Sequence, residues 1–306
     1  MVLIKPIVAA TDMSPNANRA EARAALLAHE LGGESLHLLH VIDNIALETL
    51  RHLDPSPLET EQRLMESSRK RLGEIEHGLS ERHGIQVVTT TLNVGRADTE
   101  IVRYAELLDA GLVVLGAHGG GFVRDLFVGS TVDKVLRKLS RPLLVVKCEP
   151  QVPYRKILVP VDFSDSSRQA MRFAMRVTSD AHITALHVFE VPLHTKLRSA
   201  GIDYKMIQFY EAEVHAQKKI EMRRFISELE TPGTSLTGIV EQGAAFDVIH
   251  KKMQALDADL IVMGKHGQTE QDEMLLGSVT TRVMQEANCD ILIVSASSLQ
   301  AAGGHE

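Results

Sequence analysis

The residues of this sequence whose types and spacing could do chemistry are mostly glycines. The pattern G-x2-G-x9-G-S occurs twice, as Gly116, Gly119, Gly129 and Ser130 and again as Gly264, Gly267, Gly277 and Ser278, each member displaced by 148 positions. In both copies the first glycine closes an apolar run, and the final Gly-Ser opens a stretch with helical periodicity. Phosphate binding is the chemistry this arrangement suits. A helix N-terminus presents unsatisfied N–H groups and the positive end of the helix dipole. Glycine lets the backbone come close to a ligand and tolerates positive φ. Ser130 and Ser278 add a hydroxyl at the same place. Two aspartates point there as well. Asp12, in IVAATDMS, and Asp162, in ILVPVDFS, each follow the first apolar run of their half of the chain.

The elements that must position these residues alternate. Ile4–Ala10 reads as a buried parallel strand, and Ser14-Pro15 offers a helix cap followed by proline at the first helical position. Ala17, Ala20, Ala24, Leu27, Ala28 and Leu31 follow at helical spacing, and Gly32-Gly33 ends that helix. Strand Leu36–Ile42, a long helix over Leu58–Arg82, strand Ile85–Leu92, a helix carrying Ala97, Ile101, Ala105 and Leu108, and strand Leu112–Leu115 come next. A helix from Gly129 and strand Leu143–Val146 complete the first half. The second half repeats the order, with strands near 156–161, 182–189, 235–241, 259–263 and 290–294. The boundary falls at Glu149-Pro150-Gln151-Val152-Pro153. The expected architecture is α/β: two tandem doubly wound domains, 1–149 and 150–306. Each would have a five-stranded parallel sheet of order 3-2-1-4-5 with helices on both faces. In that order the switch point lies between strands 1 and 4, which carry the aspartate and the glycine loop.

Bulk properties narrow the function. The 306 residues carry a net charge of -7, split as -3 and -4 between residues 1–150 and 151–306. Neither half has the basic excess that nucleic-acid binding would leave. No apolar stretch approaches a membrane span, and the first residues lack a signal-peptide layout. Two cysteines, Cys148 and Cys289, cannot form a disulfide framework and suggest a reducing compartment. A cytoplasmic protein is expected. His118 and His266 recur inside the motif, but loop histidines most often bond to backbone. The cluster Lys218, Lys219, Arg223 and Arg224 reads as a solvated helix face.

The combination of V-P-V-D-F-S, L-H-V and G-x2-G-x9-G-S resembles the universal stress protein family in its tandem form, over residues 1–147 and 154–295. The resemblance implies ATP binding, with magnesium left open. It places the ribose and phosphates at Gly116, Gly119, Gly129 and Ser130, and at Gly264, Gly267, Gly277 and Ser278. It places the adenine against main-chain groups of Val41 and Val188, and sets Asp12 and Asp162 near the ribose or a metal-bound water. The first half departs at Ala10, where the second has Pro160, the commoner family residue. Arg124 in one loop, and Glu270, Asp272 and Glu273 in the other, pull phosphate affinity in opposite directions. The implied function is a regulatory ATP-binding stress protein acting through an unidentified protein partner. The two domains would pair within the chain as a pseudo-dimer, with homodimers of whole chains left open. Two alternatives stand beside it. One is a slow ATPase, although no G-x4-G-K-[ST] loop and no acid–base pair is evident. The other is an interaction module whose pockets are empty or hold another ligand.

Overall fold

A computed structural model describes residues 6–32, 35–53, 57–85, 87–118, 129–178, 180–191, 203–229, 233–267 and 276–295. The fold is α/β, with parallel-dominated sheet structure and helices on both faces. The chain divides into two compact units, one of 1–153 with 288–306 and the other of 154–287.

In the first unit the strands are β1 (Ile7–Thr11), β2 (Leu36–Asp43), β3 (Val87–Gly95), β4 (Leu112–Gly116) and β5 (Leu143–Val146). Their order is 3-2-1-4-5, with β1 parallel to β2 and β4, and β4 parallel to β5. Helices α1 (Pro15–Glu30), α3 (Pro57–His83), α4 (Ala97–Leu107) and α5 (Ser130–Lys138) fall where the periodicity predicts them. A further helix, α2 (Asn44–Leu53), lies outside the elements that the periodicity predicts. It follows β2 without a break and carries no glycine or proline signal at its start.

The second unit holds β6 (Lys156–Pro160), α6 (Asp165–Val177), β7 (His182–Phe189), α7 (Tyr204–Ser227), β8 (Ser235–Gln242), α8 (Ala245–Leu256), β9 (Leu260–Gly264) and α9 (Ser278–Glu286). Its strands β8, β7, β6 and β9 lie side by side in that order, all parallel. Strands β1, β5 and β9 are apolar and buried almost throughout, as a sheet covered on both faces requires.

The last strand of the sequence, β10 (Asp290–Val294), is grouped with the first unit, where it pairs antiparallel to β5 through Ile291–Val145, Leu292–Leu144 and Ile293–Leu143. The first unit's sheet is therefore mixed rather than purely parallel. Asp290 fixes this register. Its side chain is fully buried, and Oδ1 accepts the Lys147 and Cys148 N–H groups at 2.8 and 3.0 Å. Its Oδ2 lies 3.3 Å from Nε of the buried Arg23 on α1. Arg23 in turn donates to the Val152 carbonyl at 2.9 Å. A buried charge tolerates its desolvation only when so paired, so α1, the segment after β5 and the start of β10 form one polar clasp. Cys148 donates to the Asn288 carbonyl at 3.1 Å, and Cys289 is buried. Among the described residues no helix is long and apolar enough to cross a membrane.

Candidate functional site

The turn after the first strand of each repeat is built the same way. Oδ1 of Asp12 accepts the Ser14 N–H at 3.0 Å, and Oδ1 of Asp162 accepts the Ser164 N–H at 3.0 Å. Each serine is then the N-cap: Ser14 Oγ accepts from Ala17 N and Ser164 Oγ from Ser167 N. The aspartates therefore do not cap the helices themselves. They brace the turn one step earlier, through side chain-to-backbone bonds typical of Asx turns. Between aspartate and serine the chain passes through positive φ, 62° at Met13 and 66° at Phe163. Non-glycine residues rarely adopt that region, and where the surroundings hold them there, function is the common reason.

A histidine on the second strand completes each turn. His40 Nδ1 lies 2.8 Å from the Thr11 carbonyl, and His187 Nδ1 lies 2.8 Å from the Val161 carbonyl. A carbonyl only accepts, so the hydrogen sits on Nδ1 in both rings. Burial, the dominant influence on His187, pushes its pKa down and favours the neutral ring. The L-H-V pattern marks these positions in the sequence but gives the histidines no role.

The glycine motif meets this turn across the β1–β4 and β6–β9 pairs. A Cβ on Gly116 would sit 2.7 Å from the Asn16 carbonyl oxygen, and one on Gly264 would sit 2.9 Å from Ser166 Cβ. The first motif glycine thus permits close packing of the α1 or α6 start on the neighbouring strand end. Gly267 has a different neighbour, because a Cβ there would approach Asp162 Oδ2 to 3.2 Å. The loop stems close identically in the two repeats. Gly129 N donates to the Ala117 carbonyl at 2.8 Å, and Gly277 N donates to the Lys265 carbonyl at 3.2 Å. Gly129 and Gly277 are the N-caps of α5 and α9, with φ of -60° and -56°, and make no side-chain cap bond. Positive φ is not what these two positions require. They leave a helix N-terminus without a side chain over it.

In the second unit these features enclose a cavity of about 310 Å³. All six residues expected there border it: Asp162, Val188, Gly264, Gly267, Gly277 and Ser278. Sequence reasoning missed its apolar wall, made by Leu186, Ala245, Ile249 and Met263. The only available signal was the i, i+4 spacing of Ala245 and Ile249 at the start of α8. His266 also borders the cavity. Thr280 Oγ1 donates to the Gly264 carbonyl at 3.2 Å, tying the first turn of α9 to the end of β9.

The sequence profile of the universal stress protein family matches residues 3–147 and 153–295. The chain belongs to the universal stress protein family. A universal stress protein of Methanocaldococcus jannaschii is 31% identical over 156 residues, covering 47% of this chain and 96% of the relative. A second from the same organism is 32% identical over 145 residues, covering 46% of this chain and 82% of the relative. Each relative thus corresponds in length to about one repeat. Among solved structures, a universal stress protein from Archaeoglobus fulgidus DSM 4304 matches with a TM-score of 0.69 over 95% of this chain and 98% of its own, at 19% identity.

In the first repeat of this universal stress protein, Asp12 follows β1, Val41 lies on β2, Gly116 ends β4, and Gly129 and Ser130 open α5. Gly119 and Arg124 lie outside the described residues, as do Glu270, Asp272 and Glu273 of the second loop. His118 is partly buried, and its Nε2 has no hydrogen-bond partner among the described residues. The two helix starts differ in charge. The first turn of α5 contains Asp133, whereas that of α9 has no acidic residue. The basic cluster on α7 is a solvated face, with Lys218 bonded to Glu221 at 2.7 Å and Arg224 to Glu228 at 2.9 Å.

Proposed function

We propose that this protein is a regulatory adenine-nucleotide-binding protein that holds ATP at the cavity of the second repeat and at the matching place in the first. It acts in the stress response through a protein partner rather than by turnover. The observation that carries this reading is the convergence of six residues from four parts of the second repeat on one cavity, at the foot of a helix whose N-cap has no side chain. The residues fit such a ligand. The apolar wall of Leu186, Ala245, Ile249 and Met263 suits a base beside the main chain of Val188. Asp162 suits a ribose, and the uncapped start of α9 with Ser278 suits phosphates. Gly116, Gly119, Gly129, Ser130, Asp12 and Val41 would serve the first site, with magnesium accompanying the phosphates. We extend the proposal to a cytoplasmic protein of two domains, 1–149 and 150–306, paired within the chain.

Titration calorimetry with ATP tests the site. Gly277→Val and Gly129→Val place a branched side chain over each helix start, at φ and ψ that valine itself favours, so the backbone is not strained. The double variant is expected to lose at least about tenfold in affinity, the loss of roughly one charge-assisted hydrogen bond. Unchanged affinity would remove the loops from the binding site. Phosphate release is expected far below about 1 per second, the ordinary enzyme range. Turnover at that rate, abolished by Gly277→Val, would make the protein an ATPase.

A further inference from the structure

Each repeat has a second depression, away from the glycine loop, between the first helix and the long helix: α1 and α3 in the first, α6 and α7 in the second. In the second repeat it holds about 300 Å³ and is bordered by Phe163, Phe225, Arg168, Arg224 and Glu228. Its charges are mutually satisfied. Glu228 accepts from Arg168 at 2.6 Å and from Arg224 at 2.9 Å, and Arg168 lies 5.1 Å over the Phe225 ring. On α6, Met171 is fully buried.

The first repeat fills the same place differently. Counting from the turn serines Ser14 and Ser164, Glu21 stands where the second repeat has Met171, and Thr11 stands where it has Val161. Glu21 is only 3% exposed. The Thr11 hydroxyl donates to its carboxyl, yet Oε1 is buried and has no hydrogen-bond partner among the described residues. A buried polar atom left unpaired is costly, and a recurrent reason to keep one is a ligand that satisfies it. Glu21 borders a depression of about 280 Å³ together with Asn18, Arg71, Glu74 and Arg82. Arg71 and Arg82 are close enough to act on the Glu21 carboxyl by charge. Both donate to backbone: Arg71 to the Met13 carbonyl at 3.3 Å, Arg82 to the Gly78 carbonyl at 2.9 Å. Each guanidinium keeps further donors beyond those bonds.

We propose that this depression binds a small zwitterion of the α-amino acid class, its ammonium on the buried oxygen of Glu21 and its carboxylate on the Arg71 and Arg82 guanidinium groups. The ammonium supplies the cationic donor that Oε1 lacks. The two arginines offer the forked donors that match a carboxylate. A lone cation would meet both guanidinium charges, and a lone anion would meet Glu21. Only a ligand carrying both signs answers the whole set. The volume, at the lower edge of the roughly 300–1,000 Å³ typical of drug-sized sites, restricts the ligand to a small one. The site belongs to the first repeat alone, since in its counterpart Met171 replaces the buried carboxylate and Glu228 pairs with Arg168 and Arg224.

The test is heteronuclear NMR titration of the full chain with each of the twenty common amino acids, with methylammonium and acetate as single-charge probes. At least one amino acid is expected to shift resonances of α1 and α3 at millimolar concentration or below, with neither single-charge probe binding within tenfold of it. Glu21→Met, which installs the residue the second repeat uses, and Arg82→Gln at the exposed rim are each expected to weaken binding at least about tenfold. Shifts from no amino acid would overturn the proposal, as would methylammonium or acetate binding equally well, or unchanged binding in a folded Glu21→Met variant.

Discussion

The turn after β1 and the turn after β6 share their backbone and differ in what lies behind it. Both have the aspartate bracing a serine cap, the positive-φ residue, the histidine bonded to a strand-end carbonyl, and a glycine opposite. Behind the second turn Phe163 stacks on His187 at 4.2 Å and meets Phe225 edge-on at 5.5 Å. In the first, Met13 stands at the place of Phe163, and Thr11 and the buried Glu21 stand where the second repeat has Val161 and Met171. The shared part consists of hydrogen bonds that set where the aspartate and loop stems sit. The divergent part consists of side chains that no shared bond constrains. The two repeats thus keep one device for presenting the motif, while the support beneath it is aromatic in one and polar in the other.

The largest expected effect breaks the shared part. In Gly116→Ala the new Cβ would meet backbone, the carbonyl of Asn16 at 2.7 Å, which can give way only by moving α1. In Gly264→Ala it would meet Ser166 Cβ at 2.9 Å. Overpacking of this kind costs about 1–3 kcal/mol. Gly116→Ala should fall near about 3 kcal/mol and Gly264→Ala nearer about 1–2 kcal/mol, by urea denaturation. Equal and negligible losses would show that these glycines are not packing requirements.

The next effect sharpens the divergent part. Glycine at positive φ relieves backbone strain of roughly 1 kcal/mol. Met13→Gly should therefore be close to neutral. Phe163→Gly gains the same relief but loses two aromatic contacts and the burial of a ring, together about 2–4 kcal/mol. A net loss of about 1–3 kcal/mol is expected, and nucleotide affinity should fall with it if the stacked ring holds His187 against the turn. If the two variants behave alike, the aromatic support is incidental.

How much of this was legible in the sequence follows from the same division. Periodic apolar runs, the Ser14-Pro15 start and the glycine stops carry their own local energetics, so the strand–helix order and the sheet order of the first repeat could be read. The constant displacement of the glycines brought out the repeat. Three features could not be read, and each is a tertiary matter. The destination of β10 depends on Asp290 meeting Arg23 and the N–H groups of Lys147 and Cys148, residues more than a hundred positions away. The reason for Gly116 is a carbonyl on another element. Glu21 sits among alanines on α1 and looks like a surface residue until α3 covers it. At the candidate site the motif members were legible because they recur, whereas Ala245, Ile249 and Met263 were not, being ordinary apolar residues of a helix and a strand.

The smallest expected effect concerns Glu21 and can be isolated by pH. Burial raises its pKa above the ordinary 4.5, and the charge of Asp12 adds to this; the Thr11 hydrogen bond and the charges of Arg71 and Arg82 act the other way without cancelling it. The folded state therefore prefers the protonated carboxyl more strongly than the unfolded state does. For a raised pKa, the stabilising contribution is complete below the unfolded value and is lost as pH rises through the folded value. Glu21→Gln replaces the acid with a neutral group of the same shape that does not titrate. Carboxylates remote from residue 21 titrate alike in both proteins, so the difference between their stability curves reports on Glu21 and its coupling to Asp12. The variant and the parent should differ least below the ordinary pKa of 4.5, and the variant should gain on the parent as the pH rises above it. The second repeat offers the control: a substitution at Met171, where nothing titrates, should shift stability by an amount independent of pH. Urea denaturation across that range decides the matter. A parent that gains on Glu21→Gln as pH rises would mean that Arg71 and Arg82 outweigh burial and that the carboxylate is already paired. The buried oxygen of Glu21 would then have no need of a ligand.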